Sequence, residues 1–390
     1  MSKRTVTILK SRLSNIGGVE KYTWRIAKAF SERNCQVNIL TTGNCPSQEG
    51  INIISLDRPR FLSFFHLKQF EEKCCQWLKD NPTDIIFGMD RNSHQTHYRA
   101  GNGVHAAYLS RRSRESSLLK KISFSLNPLH RFLLDIEQRA YENPHLRQLF
   151  TNSEMVRQEI LQYYATPPKK IVTIHNGVEW KEMCESFKNW PHLQEKAKKN
   201  LSLNAESFQF LFVGNGFQRK GLHLLLEGLS KIKQERWELC VVGKDKKRKK
   251  FISLAKKLCI ADRVKFLGQC KNMKTLYQLA DALVIPSLYD PFANVTVEAL
   301  AMGLFVISSK SNGGHEILCR ENGIVIEDLH CPLSLSKALR TALSYKKTLS
   351  SSQRIRQSVR HLDFSEQIKK IIDTTLGIEN KKITSKLGLT

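Results

Sequence analysis

Short apolar runs alternate with stretches of helical spacing along the whole chain, and no other feature constrains the fold as much. In the first half the runs are Thr5–Leu9, Val37–Leu40, Ile51–Ser55, Asp84–Phe87, Leu149–Ser153 and Ile171–Ile174. In the second half they are Phe210–Val213, Leu239–Val242, Val264–Leu267, Ala282–Ile285, Phe305–Ser308 and Gly323–Ile326. Between them, Val19, Tyr22, Ile26, Ala29 and Phe30 mark one face of a helix. Further helices are expected at His66–Leu78, at Glu154–Tyr164 behind a Ser153 cap, and at Leu333–Leu343 and Ser365–Thr375. Such alternation implies parallel, doubly wound sheets. At 390 residues the chain exceeds one ordinary core, so two Rossmann-like α/β domains are expected. The polar, lysine-rich stretch Glu179–Asn200, broken by Pro191, marks their boundary. Residues 1–185 then form one domain and 186–362 the other. Residues 363–390 supply a terminal helix, expected to pack back on the first domain, and a mobile polar tail.

Composition narrows the function. No apolar run reaches the roughly 18 residues that a membrane span needs. The basic start MSKRTVTILK leads into a strand-like run rather than a signal-peptide core, so a cytoplasmic protein is expected. The ten cysteines include no CxxC pair, and Cys74 and Cys75 are neighbours. They read as reduced thiols, not as a disulfide frame or a zinc site. A net charge of +26 points to anionic partners: nucleic acid, an anionic membrane or a phosphorylated glycolipid. A generally basic composition with no dedicated partner is the plain alternative. No interleaved aromatic and basic reading motif supports nucleic acid, which ranks last.

Two loops in the second half carry the chemistry. GNGFQRKG, from Gly214 to Gly221, follows FQFLFV; DPFANVTVE, from Asp290 to Glu298, follows ALVIPSLY. Each leaves a strand and enters a helix, the position where open α/β sheets bind ligands. Arg219 and Lys220 beside Gly214 and Gly216 suit a diphosphate. Asp290 and Glu298 accept from hydroxyls and suit a sugar or ribose. One site with both needs fits a nucleotide-sugar. A solvated Arg-Lys pair is the bland reading, but a place directly between strand and helix favours function. Glu298 stands in an otherwise apolar helix and needs a partner, which a ribose diol would supply. Asp290 reads either as a sugar contact or as a surface carboxylate. The chain has no Asp-x-Asp pair to hold a divalent ion, so no metal is expected. Neutralising the diphosphate then falls to side-chain cations and a helix N-terminus.

The first half is less explicit. Gly17 and Gly18 after the first strand read as a phosphate-approach loop or a tight turn. RAGNGVH ends in His105, which reads as structural or catalytic. From Ser110 to Leu134, six basic residues, among them Arg111, Arg112, Lys120 and Lys121, accompany the single acid Glu115. Leu118, Leu119, Ile122, Leu126, Leu129 and Leu133 share a helical face, Phe124 and Phe132 add bulk, and Pro128 opens a second helix after Asn127. This stretch reads as a membrane-surface segment or as a helix covering the core. A second basic run, Lys244–Lys257, reads as a solvated face or an attractor of anions.

These motifs together resemble the family 4 retaining glycosyltransferases of GT-B architecture, from Gly17 to about His361. The densest matches are VGNGFQRKG, VVGKDKKRKKF, DRVKFLG, ALVIPSLYDPFANVTVEALAMGLFVI and NGGHEI. The Asp-x7-Glu spacing corresponds to the family's Glu-x7-Glu signature. Within the family the likeness is greatest to members that build the lipopolysaccharide core. The resemblance implies two Rossmann-like domains facing a cleft and metal-free, retaining transfer of a hexose, glucose first, from a UDP-sugar to lipopolysaccharide core or another glycolipid. Separately, the basic stretch from Ser110 to Leu134 leads to an expected peripheral attachment at the inner face of the cytoplasmic membrane. Arg219 and Lys220 would bind the diphosphate, Glu298 the ribose, and Asp290 with the Phe292–Ala293–Asn294 backbone the sugar or β-phosphate. Gly17 and Gly18 would offer N–H groups to the phosphate, and the His105 carbonyl would face the anomeric centre. Phosphorolysis or epimerisation in the same cleft is the alternative. Asp290 is one methylene shorter than the family's glutamate. Pro291 and Ala293 replace glycine-type residues, and Pro291 has no N–H; these departures bear on which sugar is accepted.

Overall fold

All strand pairing in both sheets is parallel, as the alternation requires. The computed structural model describes residues 3–13, 18–43, 48–56, 63–114, 127–345 and 347–378. The chain divides into two units, Met1–His175 with Gln367–Thr390, and Asn176–Glu366.

The first unit holds β1 (Thr5–Arg12), β2 (Gln36–Thr42), β3 (Ile51–Leu56), β4 (Ile85–Gly88), β5 (His97–Arg99), β6 (Gln148–Thr151) and β7 (Ile171–Thr173). Its described helices are α1 (Gly18–Glu32), α2 (Ser63–Asp80), α3 (His105–Arg114), α4 (Pro128–Tyr141) and α5 (Glu154–Tyr163). The strand order is β3-β2-β1-β4-β5-β6-β7. It reverses between β1 and β4, which makes that junction the switch point. β1 and β2 are buried almost end to end, because helices cover both faces of a parallel sheet. Phe30 of α1 meets Phe87 edge-on at 5.8 Å, and Phe87 stacks on Phe150 at 6.0 Å. These rings tie α1, β4 and β6 into one core. Pro128 stands in the first turn of α4 and Ser153 caps α5 through Val156 N, both as expected; Asn127 also caps α4 through Leu129 N.

The second unit holds β8 (Phe208–Val213), β9 (Trp237–Val242), β10 (Val264–Gly268), β11 (Ala282–Ile285), β12 (Phe305–Ser309) and β13 (Gly323–Ile326), ordered β10-β9-β8-β11-β12-β13. Its helices include α6 (Cys184–Lys188), α7 (Trp190–Asn200), α8 (Leu222–Ser230), α9 (Arg248–Lys257), α10 (Met273–Leu279) and α11 (Asn294–Ala301). They continue with α12 (Pro332–Leu343), α13 (Leu349–Ser358) and α14 (Phe364–Leu376), whose later residues belong to the first unit. There Asp373 pairs with Arg33 at 2.7 Å, and the Leu376 carbonyl accepts from Arg4 at 3.0 Å. The second switch point lies between β8 and β11.

The Glu179–Asn200 stretch differs from its reading as a polar linker. It forms α6 and α7, and Pro191 stands in the first turn of α7, where a missing N–H leaves nothing unsatisfied. Phe187 and Trp190 are buried and join the second core. The chain passes between units at His175–Asn176 and again at Glu366–Gln367. Those crossings are stitched together by Val178, whose N–H donates to the Leu362 carbonyl and whose carbonyl accepts from Phe364 N. Among the described residues no helix is long and apolar enough to cross a membrane.

Candidate active site

The loops leaving β8 and β11 meet at the second switch point. Gly221 has φ +76°, and a Cβ there would lie 1.8 Å from the Pro286 carbonyl oxygen, so only glycine permits this approach. Leu288 N donates to the Arg219 carbonyl at 2.9 Å and locks the loops side by side. Phe217 anchors the first loop in the core, edge-on to Phe212 and Phe251. Its N–H donates to the Asp245 carboxylate at 2.6 Å, which ties the loop to the exit of β9.

This frame presents the two cations differently. The Lys220 stem runs over Gly214, where a Cβ would come within 3.0 Å of Cγ. The Lys220 ammonium donates to Asp290 Oδ2. Arg219 Nη1 donates to the Tyr289 carbonyl at 2.9 Å and to Asp290 Oδ2 at 3.3 Å. Lys220 is buried, whereas the Arg219 side chain is 40% exposed. The Asp290 carboxylate therefore sits between both cations. Its own backbone is clamped, N–H to the Ser311 carbonyl at 2.8 Å and carbonyl from Gly313 N at 2.9 Å.

Asn312, which sequence reasoning missed, organises the next turn. Fully buried, it accepts from Ala293 N at 2.9 Å and Gly314 N at 3.1 Å, and donates to Thr296 Oγ1 at 3.2 Å and Ser308 Oγ at 2.9 Å. This network fixes the start of α11. Phe292 and Ala293 are buried below it, and Asn294 is exposed at the first turn, accepting from Asn176 Nδ2 at 2.7 Å. The opening amides of a helix have no intrahelical carbonyl, so this end is suited to an anion. One turn on, Glu298 Oε2 accepts from the Tyr277 hydroxyl at 2.6 Å. A ribose is thus not needed to explain a carboxylate in this apolar helix, because Tyr277 is already its partner. Burial, and then the Glu298 charge, holds the Tyr277 hydroxyl well above the usual range and keeps it a donor. No sequence signal marked Tyr277, which reads as one more core aromatic.

The remaining expected residues lie in the first unit. Gly18 opens α1 after β1; Gly17, Lys120, Lys121 and Phe124 fall outside the described residues. At that unit's switch point, Lys10 donates to both Asp90 oxygens at 2.9 Å, and Ser11 adds its N–H at 2.9 Å and hydroxyl at 2.8 Å. Arg111 is turned onto Glu159 of α5 at 2.6 Å, a contact within the fold, and Arg112 lies over the Tyr108 ring at 5.9 Å. In the basic run, Lys246, Lys247, Arg248, Lys249 and Lys250 are exposed around the start of α9. A cavity of about 1020 Å³ between α2 and α4, lined in part by Glu71, Cys75, Phe132 and Arg139, contains none of the expected site residues. Among the described residues no group of three or more His, Cys, Asp or Glu side chains is placed to hold a metal ion.

His105 is the first residue of α3, its backbone N–H held by Glu137 and its Nε2 3.0 Å from His130 Nδ1. Burial, reinforced by Arg91 and His130, pushes the His105 pKa down to about 4; burial and Arg147 do the same for His97. Both rings fold neutral, whereas the unfolded chain protonates them near 6.5. The unfolded state thus binds more protons in this window, so stability is complete above about pH 6.5 and is lost as pH falls toward 4. The loss is on the order of a few kcal/mol. Histidine C2-proton resonances should show both rings neutral at pH 5.5, while denaturant midpoints drop between pH 7 and pH 5. Ordinary midpoints near pH 6.5 for both rings would refute this.

Two all-parallel, Rossmann-like α/β units match the GT-B architecture of solved glycosyltransferases. Residues 169–361 match the family model described as glycosyl transferases group 1, and residues 16–181 match that of glycosyltransferase family 4. The chain belongs to the GT-B glycosyltransferases. It is 27% identical over 325 residues to the uncharacterized glycosyltransferase MJ1607 of Methanocaldococcus jannaschii, covering 79% of this chain and 81% of that one. It is 24% identical over 336 residues to the lipopolysaccharide glucosyltransferase WaaG of Escherichia coli, covering 84% and 86%. The crystal structure of WaaG superposes with a TM-score of 0.77 at 22% identity, over 95% of this chain and 100% of that one. That of HepE from Anabaena in complex with UDP-glucose gives 0.71 at 17%, over 96% and 100%.

Proposed function

We propose that this glycosyltransferase moves a hexose, glucose in the first instance, from a UDP-sugar to lipopolysaccharide core or another glycolipid, with retention and without a metal. The observation that carries the donor half is the Arg219–Lys220 pair converging on one carboxylate at the switch point. In the reaction, Arg219 forks onto the diphosphate and Lys220 supplies a point charge. The α11 N-terminus adds its amides and half-charge. Asp290 passes from the cations to the sugar hydroxyls. Glu298, oriented by Tyr277, accepts from the ribose, and the Gly17–Gly18 amides reach the phosphate. The His105 carbonyl stabilises positive charge at the anomeric carbon while the acceptor attacks from the face the diphosphate leaves. The second unit serves the donor and the first the acceptor. Support for a glycolipid comes from the names of relatives, among them a lipopolysaccharide core biosynthesis glycosyltransferase of Rhizobium meliloti at 27% identity over 164 residues.

A melting-temperature and hydrolysis screen over nucleotide-sugars, with and without magnesium, tests this reading. UDP-glucose should give the largest shift, and chelator should leave it unchanged. Preference for another nucleotide, or strict dependence on a divalent cation, would overturn it.

The site of action proposed is the inner face of the cytoplasmic membrane, reached through the basic stretch around Lys120 and Lys121. Each such charge near an anionic surface is worth about 1 kcal/mol. Replacing both with glutamate is expected to weaken sedimentation with phosphatidylglycerol vesicles at least tenfold, given a swing of about 4 kcal/mol. Unchanged binding would assign that stretch to packing alone.

A further inference from the structure

A carboxylate is buried directly beneath the glycine loop that ends in His105. Glu137 of α4 is 0% exposed, and its hydrogen bonds come from that loop, from the Arg91 guanidinium and from the Tyr164 hydroxyl. Its Oε1 accepts from His105 N at 2.7 Å and Arg91 Nε at 2.7 Å. Its Oε2 accepts from the Tyr164 hydroxyl at 2.8 Å, from His105 N at 2.9 Å and, at the longer distance of 3.4 Å, from Ala106 N. Arg91 in turn donates from Nη2 to the Gly103 carbonyl at 3.1 Å, and Asn152 donates to the Gly101 carbonyl at 3.1 Å. The loop from Gly101 to Ala106 is thereby pinned at Gly101, Gly103, His105 and Ala106.

Packing alone does not call for this arrangement. A buried ion pair is costly to desolvate, and an apolar side chain of similar volume would hold α4 in place as well. What an apolar residue lacks is an anionic acceptor for two successive backbone N–H groups. The N–H of His105 shares a peptide unit with the Val104 carbonyl, and the N–H of Ala106 shares one with the His105 carbonyl. An anion accepting from these N–H groups draws electron density toward the carbonyl oxygens of the same units, as hydrogen bonds in series do. The carboxylate also stands at the positive end of α3, where the helix dipole favours it.

We infer that Glu137 is a positioning residue: with Arg91 as its counter-charge, it fixes and polarises the peptides on either side of His105. The inference rests on the role proposed above for the His105 carbonyl. A more electron-rich carbonyl, held still, stabilises positive charge that develops opposite it. Glu137 itself lies below the loop and touches no substrate.

The test compares wild type, Glu137→Gln and the double variant Arg91→Gln/Glu137→Gln, with kcat and donor KM measured beside thermal unfolding. Glu137→Gln keeps the shape but removes the anion and leaves Arg91 without its partner. It should lower the melting temperature and reduce kcat roughly tenfold or more, as displaced catalytic groups do. Donor KM should stay within about twofold, because the side chains proposed to hold the nucleotide, Arg219, Lys220 and Glu298, belong to the other unit and Glu137 touches none of them. The double variant removes both charges, so the melting temperature should recover while kcat stays low. A double variant with wild-type kcat makes the pair purely structural and overturns the inference, as does Glu137→Gln with undiminished kcat. Should Glu137→Gln fail to fold, kcat of the double variant decides alone. Absence of turnover by wild type with any UDP-sugar would instead sink the proposed function, and this role with it.

Discussion

Arg219→Ala is expected to lower kcat/KM for the nucleotide-sugar by roughly 10²–10³-fold, the usual effect of deleting one donor aimed at developing charge. The fold should survive. The Arg219 side chain is 40% exposed, and its partner Asp290 is also held by Lys220 and by backbone bonds to Ser311 and Gly313. Lys220 stays on Asp290, so no buried charge is abandoned. Arg219→Lys should recover part of the loss, since it restores the charge but not the planar fork. Steady-state kinetics over a donor range, with melting curves of each variant in parallel, read this directly. A loss below about fivefold at unchanged melting temperature would remove Arg219 from the diphosphate, because one charge-assisted bond is worth more than that.

The largest effect on stability is expected from Asn312→Ala. The Asn312 side chain satisfies two backbone amides and two hydroxyls where no water reaches. Each buried donor left without an acceptor costs about 1–3 kcal/mol. Ala293 N and Gly314 N together therefore suggest a loss on the order of 3 kcal/mol, or roughly 6–12 °C in a unit of this size. The damage should spread to function, because Ser311 and Gly313 on either side of Asn312 clamp the Asp290 backbone. Calorimetry should show the fall in the second unit, and donor affinity should weaken with it. A shift under about 2 °C would mean that the turn holds its shape without this side chain.

The two sheets were legible because strands buried on both faces are written as short continuous apolar runs, such as Phe210–Val213 and Ala282–Ile285. β5 escaped because His97 and Arg99 flank its one aromatic residue. They can be buried because the Arg99 guanidinium lies 3.7 Å over the Tyr22 ring and the His97 imidazole is neutral, neither of which is local information. Pro191 and the surrounding lysines disguised α7 as a linker, since a proline in a first turn looks like a break when read along the chain. The charged loop residues were legible by their position between a strand and a helix. Their mutual pairing was not, because Arg219 and Lys220 lie about seventy residues before Asp290 and meet it only through the order of the strands. Asn312, Tyr277 and Glu137 were hidden for the same reason, as polar residues whose partners come from other elements.

The contact between Lys220 and Asp290 bears on how the site loads and empties. On the proposed reading an incoming diphosphate would not meet a bare ammonium; it would evict a resident counter-ion, and the net gain would be only the difference between two anions. Eviction would leave Asp290 in need of new donors, which the hydroxyls of a hexose supply, whereas the ribose hydroxyls of free UDP are those proposed for Glu298. On the proposed reading, spent nucleotide is therefore held less tightly than intact donor, and in the melting screen UDP should raise the transition less than UDP-glucose does. The site would then discharge its leaving group by letting the carboxylate return to its place.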